Sequence, residues 1–141
     1  METIRQQSYI GEGSIANLAP VLAQIQARRV LLVTGGRSYA ESGAEKLLAP
    51  MLQDKEVKQH AVLSQNPSFE TVLQGITSCR SYNPDVVVAI GGGSVIDTAK
   101  SIAALSLEKN NPQSYITSAA KLETNPIPLI AIPTTAGTGS E

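Results

Sequence analysis

The 141-residue chain has one cysteine, one histidine, one phenylalanine and no tryptophan. A lone cysteine excludes an internal disulfide framework and fits a reducing compartment, so the cytoplasm is the expected location. The shortage of aromatic side chains argues against a base-stacking nucleic-acid platform. The formal net charge of -1 and the lack of any basic block exclude, by the same logic, nucleic acid and anionic membrane as partners. No apolar run approaches the roughly 20 residues that a membrane span needs. Residues 1–10 are too polar to form the apolar core of a signal peptide. No GxxxxGK[ST] pattern is found, which excludes a P-loop nucleotidase. There is no internal repeat, low-complexity tract or linker, and the length suits one domain with a core of its own.

What is there centres on Val86-Val87-Val88-Ala89-Ile90-Gly91-Gly92-Gly93-Ser94-Val95-Ile96-Asp97-Thr98-Ala99-Lys100. An apolar, β-branched run ends in three glycines and passes directly into helical periodicity, as where a buried parallel strand meets a helix. Glycines let a ligand approach bare backbone, and the first N–H groups of a helix have no intrahelical acceptor. Such a turn suits a phosphate or pyrophosphate. A tight turn without a ligand is the alternative, although one glycine would suffice for it.

The rest of the chain alternates in the same way. Residues 4–10 read as a polar edge strand, and 14–28 as a helix interrupted or restarted at Pro20. Val30–Thr34 is a short buried strand. Ser38 and Glu41 have capping-box spacing, which predicts a helix to about Leu52. Strands are expected at 57–63, 85–90 and 128–132, with helices from Asn66-Pro67-Ser68 to Tyr82, from Ser94 to about Leu107, and a short one near Ser114. This order predicts an α/β fold: a Rossmann-like, doubly wound, mostly parallel sheet with helices on both faces. Ligands bind such sheets at the carboxyl ends of the strands. Three small or polar runs meet there: Thr34-Gly35-Gly36-Arg37-Ser38, Gly91 to Ser94, and Thr134 to Ser140.

Two of these runs, Ala89 to Lys100 and Ile130-Ala131-Ile132-Pro133-Thr134-Thr135-Ala136-Gly137-Thr138-Gly139-Ser140-Glu141, together resemble the iron-containing (group III) alcohol dehydrogenases. Asn66-Pro67 and Gly11-Glu12-Gly13-Ser14-Ile15 add to the likeness, which covers essentially the whole chain. The resemblance implies that residues 1–141 are the NAD(P)-binding domain of an alcohol or aldehyde oxidoreductase. In that family a helical domain follows, and the cofactor lies in the cleft between the two. The implied cofactor contacts are Gly92, Gly93 and Ser94 at the pyrophosphate, together with Asn66, Asp97, Thr134, Thr135 and Thr138. Gly35, Gly36, Arg37 and Ser38 would meet the adenosine ribose. Many NAD-using members place an acid at the position of Gly35. Glycine there with Arg37 beside it favours a 2′-phosphate, hence NADP over NAD. The family's iron or zinc is held by one Asp and three His beyond the Gly-Thr-Gly-Ser-Glu motif. With only His60, this chain is expected to lack the metal-binding domain, to bind no metal, to carry no catalytic residue and to be inactive alone.

Bland readings stand beside several of these residues. Asp97 suits the positive end of a helix dipole as well as it suits a cofactor hydrogen bond. Lys100 reads as its helical partner. The threonines suit a turn with local side-chain-to-backbone bonds equally well. His60 reads as a solvent-facing strand histidine and Cys79 as a small buried hydrophobe. Tyr115 and Lys121 are six apart, not the four of a short-chain dehydrogenase pair. Alternatives to the oxidoreductase domain are a non-catalytic remnant with a structural or weak nucleotide-binding role, and a dehydroquinate-synthase-like or glycerol-dehydrogenase-like protein. A homodimer is expected, paired through the 4–10 strand.

Overall fold

The computed structural model describes residues 6–134 except 65 and 119. Four strands, β1 (Arg29–Gly35), β2 (Glu56–Val62), β3 (Val86–Gly91) and β4 (Leu129–Pro133), form one sheet in the order β2-β1-β3-β4. All three pairings are parallel. The sheet carries helices on both faces, as the alternation of apolar strands and helical segments predicts.

The period-2 alternation of side chains sorts each central strand between two cores. Leu31, Val33, Val87 and Ala89 point to the side covered by α4 (Phe69–Tyr82) and α5 (Gly93–Leu105), with Ile76, Ile96, Ala99 and Ile102 packed on them. Val30, Leu32, Val86, Val88 and Ile90 point to the other side, against Leu18 and Leu22 of α1 (Leu18–Gln24) and Leu48 of α3 (Ala44–Leu48). Both central strands are therefore nearly all buried, which is why they read as continuous apolar runs. Edge strand β2 is exposed along most of its length, and its sequence is correspondingly polar.

Helix boundaries follow local chemistry. The Ser68 side chain accepts the Thr71 N–H at 3.4 Å to open α4, and Asn83, left-handed at φ 54°, closes it ahead of Pro84. Asn111 caps α6 (Pro112–Thr117), with Pro112 in its first turn. The rear of α5 is held by Arg80 of α4, whose guanidinium donates to the carbonyls of Ser106 (2.9 Å), Leu105 (3.3 Å) and Glu108 (2.7 Å).

Three sequence expectations need correction. The single helix expected from Ser38 to Leu52 is two short helices, α2 (Arg37–Glu41) and α3, separated at Gly43, whose φ of 81° is left-handed. The Ser38–Glu41 capping box is not formed, because Ser38 lies inside α2 and Gly36 is its N-cap, without a side-chain bond. Residues 6–10 form no strand, and all five are exposed.

Candidate glycine-turn site at the sheet's carboxyl edge

Strand order places the candidate residues. From β1 the chain moves outward to β2 on one side, then crosses to β3 on the other. The crevice between the carboxyl ends of β1 and β3 is thus the topological switch point of the sheet, where α/β folds bind ligands. Register brings the three runs side by side. Thr34 lies opposite Ile90, Gly35 opposite Val62, and Gly91 opposite Pro133. The Thr134 N–H donates to the Gly91 carbonyl at 2.9 Å, which ties the start of the threonine run to the glycine turn.

The turn is built for close approach. Gly91 has φ 155°, and a Cβ there would lie 2.8 Å from Cγ2 and 2.9 Å from Cβ of Val95. Gly92 is extended and caps α5 through its carbonyl, which accepts the Ile96 N–H at 3.1 Å. The N–H groups of Gly93, Ser94 and Val95 precede that first helical bond, so the helix itself gives them no acceptor. No acidic residue stands in this first turn and no side chain among the described residues caps it, so nothing in the turn itself offsets the positive end of the 13-residue helix. Gly92, Gly93 and Ser94 are all partly exposed. Behind them Thr98, 2% exposed, donates its hydroxyl to the Ser94 carbonyl at 2.7 Å and stiffens the turn.

Gly36, Arg37 and Ser38 are exposed at the end of β1, while Gly35 is buried. A Cβ at Gly35 would come within 2.5 Å of the Ser38 Oγ. The Ser38 hydroxyl thus occupies the space that an acidic side chain at Gly35 would need. Asn66 follows the carboxyl end of β2, exposed, with its N–H donated to the Ser64 hydroxyl at 3.2 Å. Asp97 is exposed and falls one residue past the first turn of α5, because the helix starts at Gly93 rather than at Ser94. Thr135 and Thr138 lie outside the described residues.

Two residues set aside by the sequence behave as follows. His60 does not face solvent: it is half-buried on the α4 side of β2, its Nε2 3.2 Å from the point a Cβ at Gly75 would occupy. Burial, then the nearby Lys58, pushes its pKa down, and Nε2 has no hydrogen-bond partner among the described residues. Cys79 is buried with its thiol pKa raised by burial, despite a hydrogen bond from Ser106 and the charge of Arg80. Among the described residues no group of three or more His, Cys, Asp and Glu could hold a metal ion. No described helix is long and apolar enough to cross a membrane.

One polar cluster had no signal in the sequence. Glu108, 3% exposed, accepts four hydrogen bonds: from the Tyr115 hydroxyl (2.6 Å), the Thr124 hydroxyl (2.6 Å), and the N–H groups of Thr124 (2.8 Å) and Glu123 (3.0 Å). These donors, the Thr124 and Tyr115 hydroxyls foremost, hold its carboxyl at a pKa of about 2. Its partners are 7 to 16 residues away, in a segment with no periodicity to read.

A sequence profile of the iron-containing alcohol dehydrogenases matches residues 6–141. The chain belongs to that family. It is 37% identical over 115 residues to NADH-dependent butanol dehydrogenase B of Clostridium acetobutylicum, covering 80% of this chain and 29% of that protein. It is 30% identical over 137 residues to long-chain-alcohol dehydrogenase 1 of Geobacillus thermodenitrificans, covering 95% of this chain and 35% of the relative. An iron-containing alcohol dehydrogenase of Thermotoga maritima superposes with a TM-score of 0.76 at 32% identity, over 86% of this chain and 34% of the other. The sulfoacetaldehyde reductase of Bifidobacterium kashiwanohense, solved with NAD+, shares the fold at a TM-score of 0.82 and 24% identity, over 97% of this chain and 38% of that one. The chain thus spans about a third of the length of the relatives it matches.

Proposed function

We propose that these residues form the nicotinamide-dinucleotide-binding part of an alcohol or aldehyde oxidoreductase. The observation that carries this reading is the α5 N-terminus. The first three N–H groups of α5, which have no intrahelical acceptor, the helix dipole and the glycine turn meet at the switch-point crevice. The residues present therefore fit a pyrophosphate. Gly92, Gly93 and Ser94 would hold it, with Thr134, Thr135, Thr138, Asn66 and Asp97 as further cofactor contacts. The bound dinucleotide would accept or deliver a hydride at its nicotinamide. The described residues do not fit iron or zinc, for want of a donor set, so no step is assigned to a metal here.

Arg37, exposed beside Gly36, together with the Ser38 hydroxyl in the place of an acid, supports NADP over NAD. An anion would repel a 2′-phosphate, whereas a guanidinium can pair with it. Because the chain matches a third of its relatives, residues 1–141 are read as a binding domain. Their own affinity for dinucleotide should lie in the high-micromolar to millimolar range, since phosphate contacts and part of an adenosine pocket supply only about 4–6 kcal/mol. A homodimer remains part of this reading, although pairing would have to use the β2 or β4 edge, because residues 6–10 form no strand. The cytoplasm remains the expected location.

The test is calorimetric or NMR titration of the 141-residue chain with NADPH and NADH. Gly92→Val should abolish binding while the thermal melt stays within a few degrees. Arg37→Asp should reverse the preference between the two cofactors. Unchanged titration in the Gly92 variant would remove the turn from the site.

A further inference from the structure

Leu63 is the residue just beyond β2, at the carboxyl edge of the sheet, and its side chain is 83% exposed. Since Gly35 lies opposite Val62, Leu63 is level with Gly36. Its Cδ2 leans over that glycine: a Cβ on Gly36 would be 3.3 Å away. A large aliphatic side chain thus forms a ledge over bare backbone, next to the exposed Arg37 and on the β2 side of the switch-point crevice. Ile90 at the end of β3 and Val95 in the first turn of α5 are by contrast buried in the cores.

A dinucleotide seated with its pyrophosphate on Gly92 to Ser94 and its adenosine ribose near Gly36 and Arg37 must carry its base outward from β1, toward β2. Adenine has two apolar faces and a polar edge, and a face needs a flat apolar partner. Tyr39, the aromatic residue nearest in sequence to the turn, is buried on the far side of α2 and cannot supply one. We propose that Leu63 is the apolar platform for the adenine ring of the bound dinucleotide. It therefore decides whether a ligand is recognised by its base as well as by its phosphates. The proposal rests on the nucleotide-binding reading and adds to it the residue that contacts the base.

Four probes separate the contributions: NADH, ADP, nicotinamide mononucleotide and inorganic pyrophosphate, titrated by NMR into the wild-type chain and into the Leu63→Ala and Leu63→Met variants. The substituted side chain is exposed, so the fold should be unaffected, which a thermal melt checks. Covering part of a leucine side chain predicts a roughly three- to tenfold loss of affinity for NADH and ADP in Leu63→Ala. Nicotinamide mononucleotide and pyrophosphate should bind it as they bind the wild type, and Leu63→Met should return adenine ligands to within about twofold. Equal affinities of wild type and Leu63→Ala for ADP would overturn the platform while leaving nucleotide binding intact. Equal losses for all four probes would also overturn it. A wild-type chain that bound none of the probes would remove the nucleotide reading itself, and the platform with it.

Discussion

Replacing Gly91 with alanine tests the packing on which the glycine turn depends. The added methyl would meet three atoms of Val95, at 2.8, 2.9 and 3.1 Å, from a backbone with φ 155°. The conformation alone should cost about 1–3 kcal/mol for a residue with a Cβ. Overpacking against a side chain that is 5% exposed adds about 1–3 kcal/mol. The sum, about 2–6 kcal/mol, is a large share of the 5–15 kcal/mol by which domains are ordinarily stable. Equilibrium urea unfolding would register it as a lower midpoint with an unchanged slope. The two contributions can be separated. Val95→Ala alone should cost about 2 kcal/mol, because two buried methyls are lost. In the double variant two of the three close contacts disappear, so the pair should be less destabilised than the sum by about 1 kcal/mol or more. The backbone contribution should persist. A Gly91→Ala chain within 0.5 kcal/mol of wild type, or strictly additive variants, would refute the claim that α5 is seated directly on this glycine.

Other expectations follow from the ionisable groups and from the lack of a metal donor set among the described residues. Glu108, with its carboxyl held at about 2, contributes stability that is complete above its unfolded value of about 4.3 and is lost as pH falls through 2. Hydrogen exchange at 120–127 should accelerate over that window, and Glu108→Gln should remove the pH dependence. His60, its pKa pushed down by burial, resists protonation when folded, so stability should decline as pH falls below its unfolded value of about 6.5. Imidazole NMR resonances that titrate at or above 6.5 would contradict this. Residues 1–141 supplied with iron or zinc and NADPH should not reduce aldehydes, and metal-dependent turnover by the pure chain would show a donor set not recognised here.

The architecture was largely legible because its strongest signals are physical constraints acting locally. Val86 to Ile90 and Val30 to Val33 are apolar throughout since both faces of a central strand are covered. Asn83-Pro84 and Asn111-Pro112 stop and start helices by backbone chemistry alone. The glycine turn was legible for the same reason, since a strand that leaves the sheet at a φ of 155° against Val95 calls for glycine at position 91. What escaped was tertiary. Gly43 breaks a helix that propensity would continue. The Ser38–Glu41 spacing suggests a cap, but the chain leaving β1 enters its helix two residues earlier, with Gly36 as N-cap. His60 looks exposed among polar neighbours because only the seating of α4 covers one side of β2. Glu108 draws its partners from a loop that carries no period, and the exposure of Leu63 depends on where β2 ends relative to Gly36.

The three carbonyls gripped by Arg80 give α5 a mechanical character. The helix is anchored at its rear to a neighbouring helix and abuts a strand end at its front, so it behaves as a strut under fixed load rather than a lever. An anion bound at that front end, as proposed above, would meet N–H groups on a helix held at both ends. The guanidinium answers the negative pole of the helix dipole, so the charge separation along the strut falls to its front end, where no acidic residue stands in the first turn.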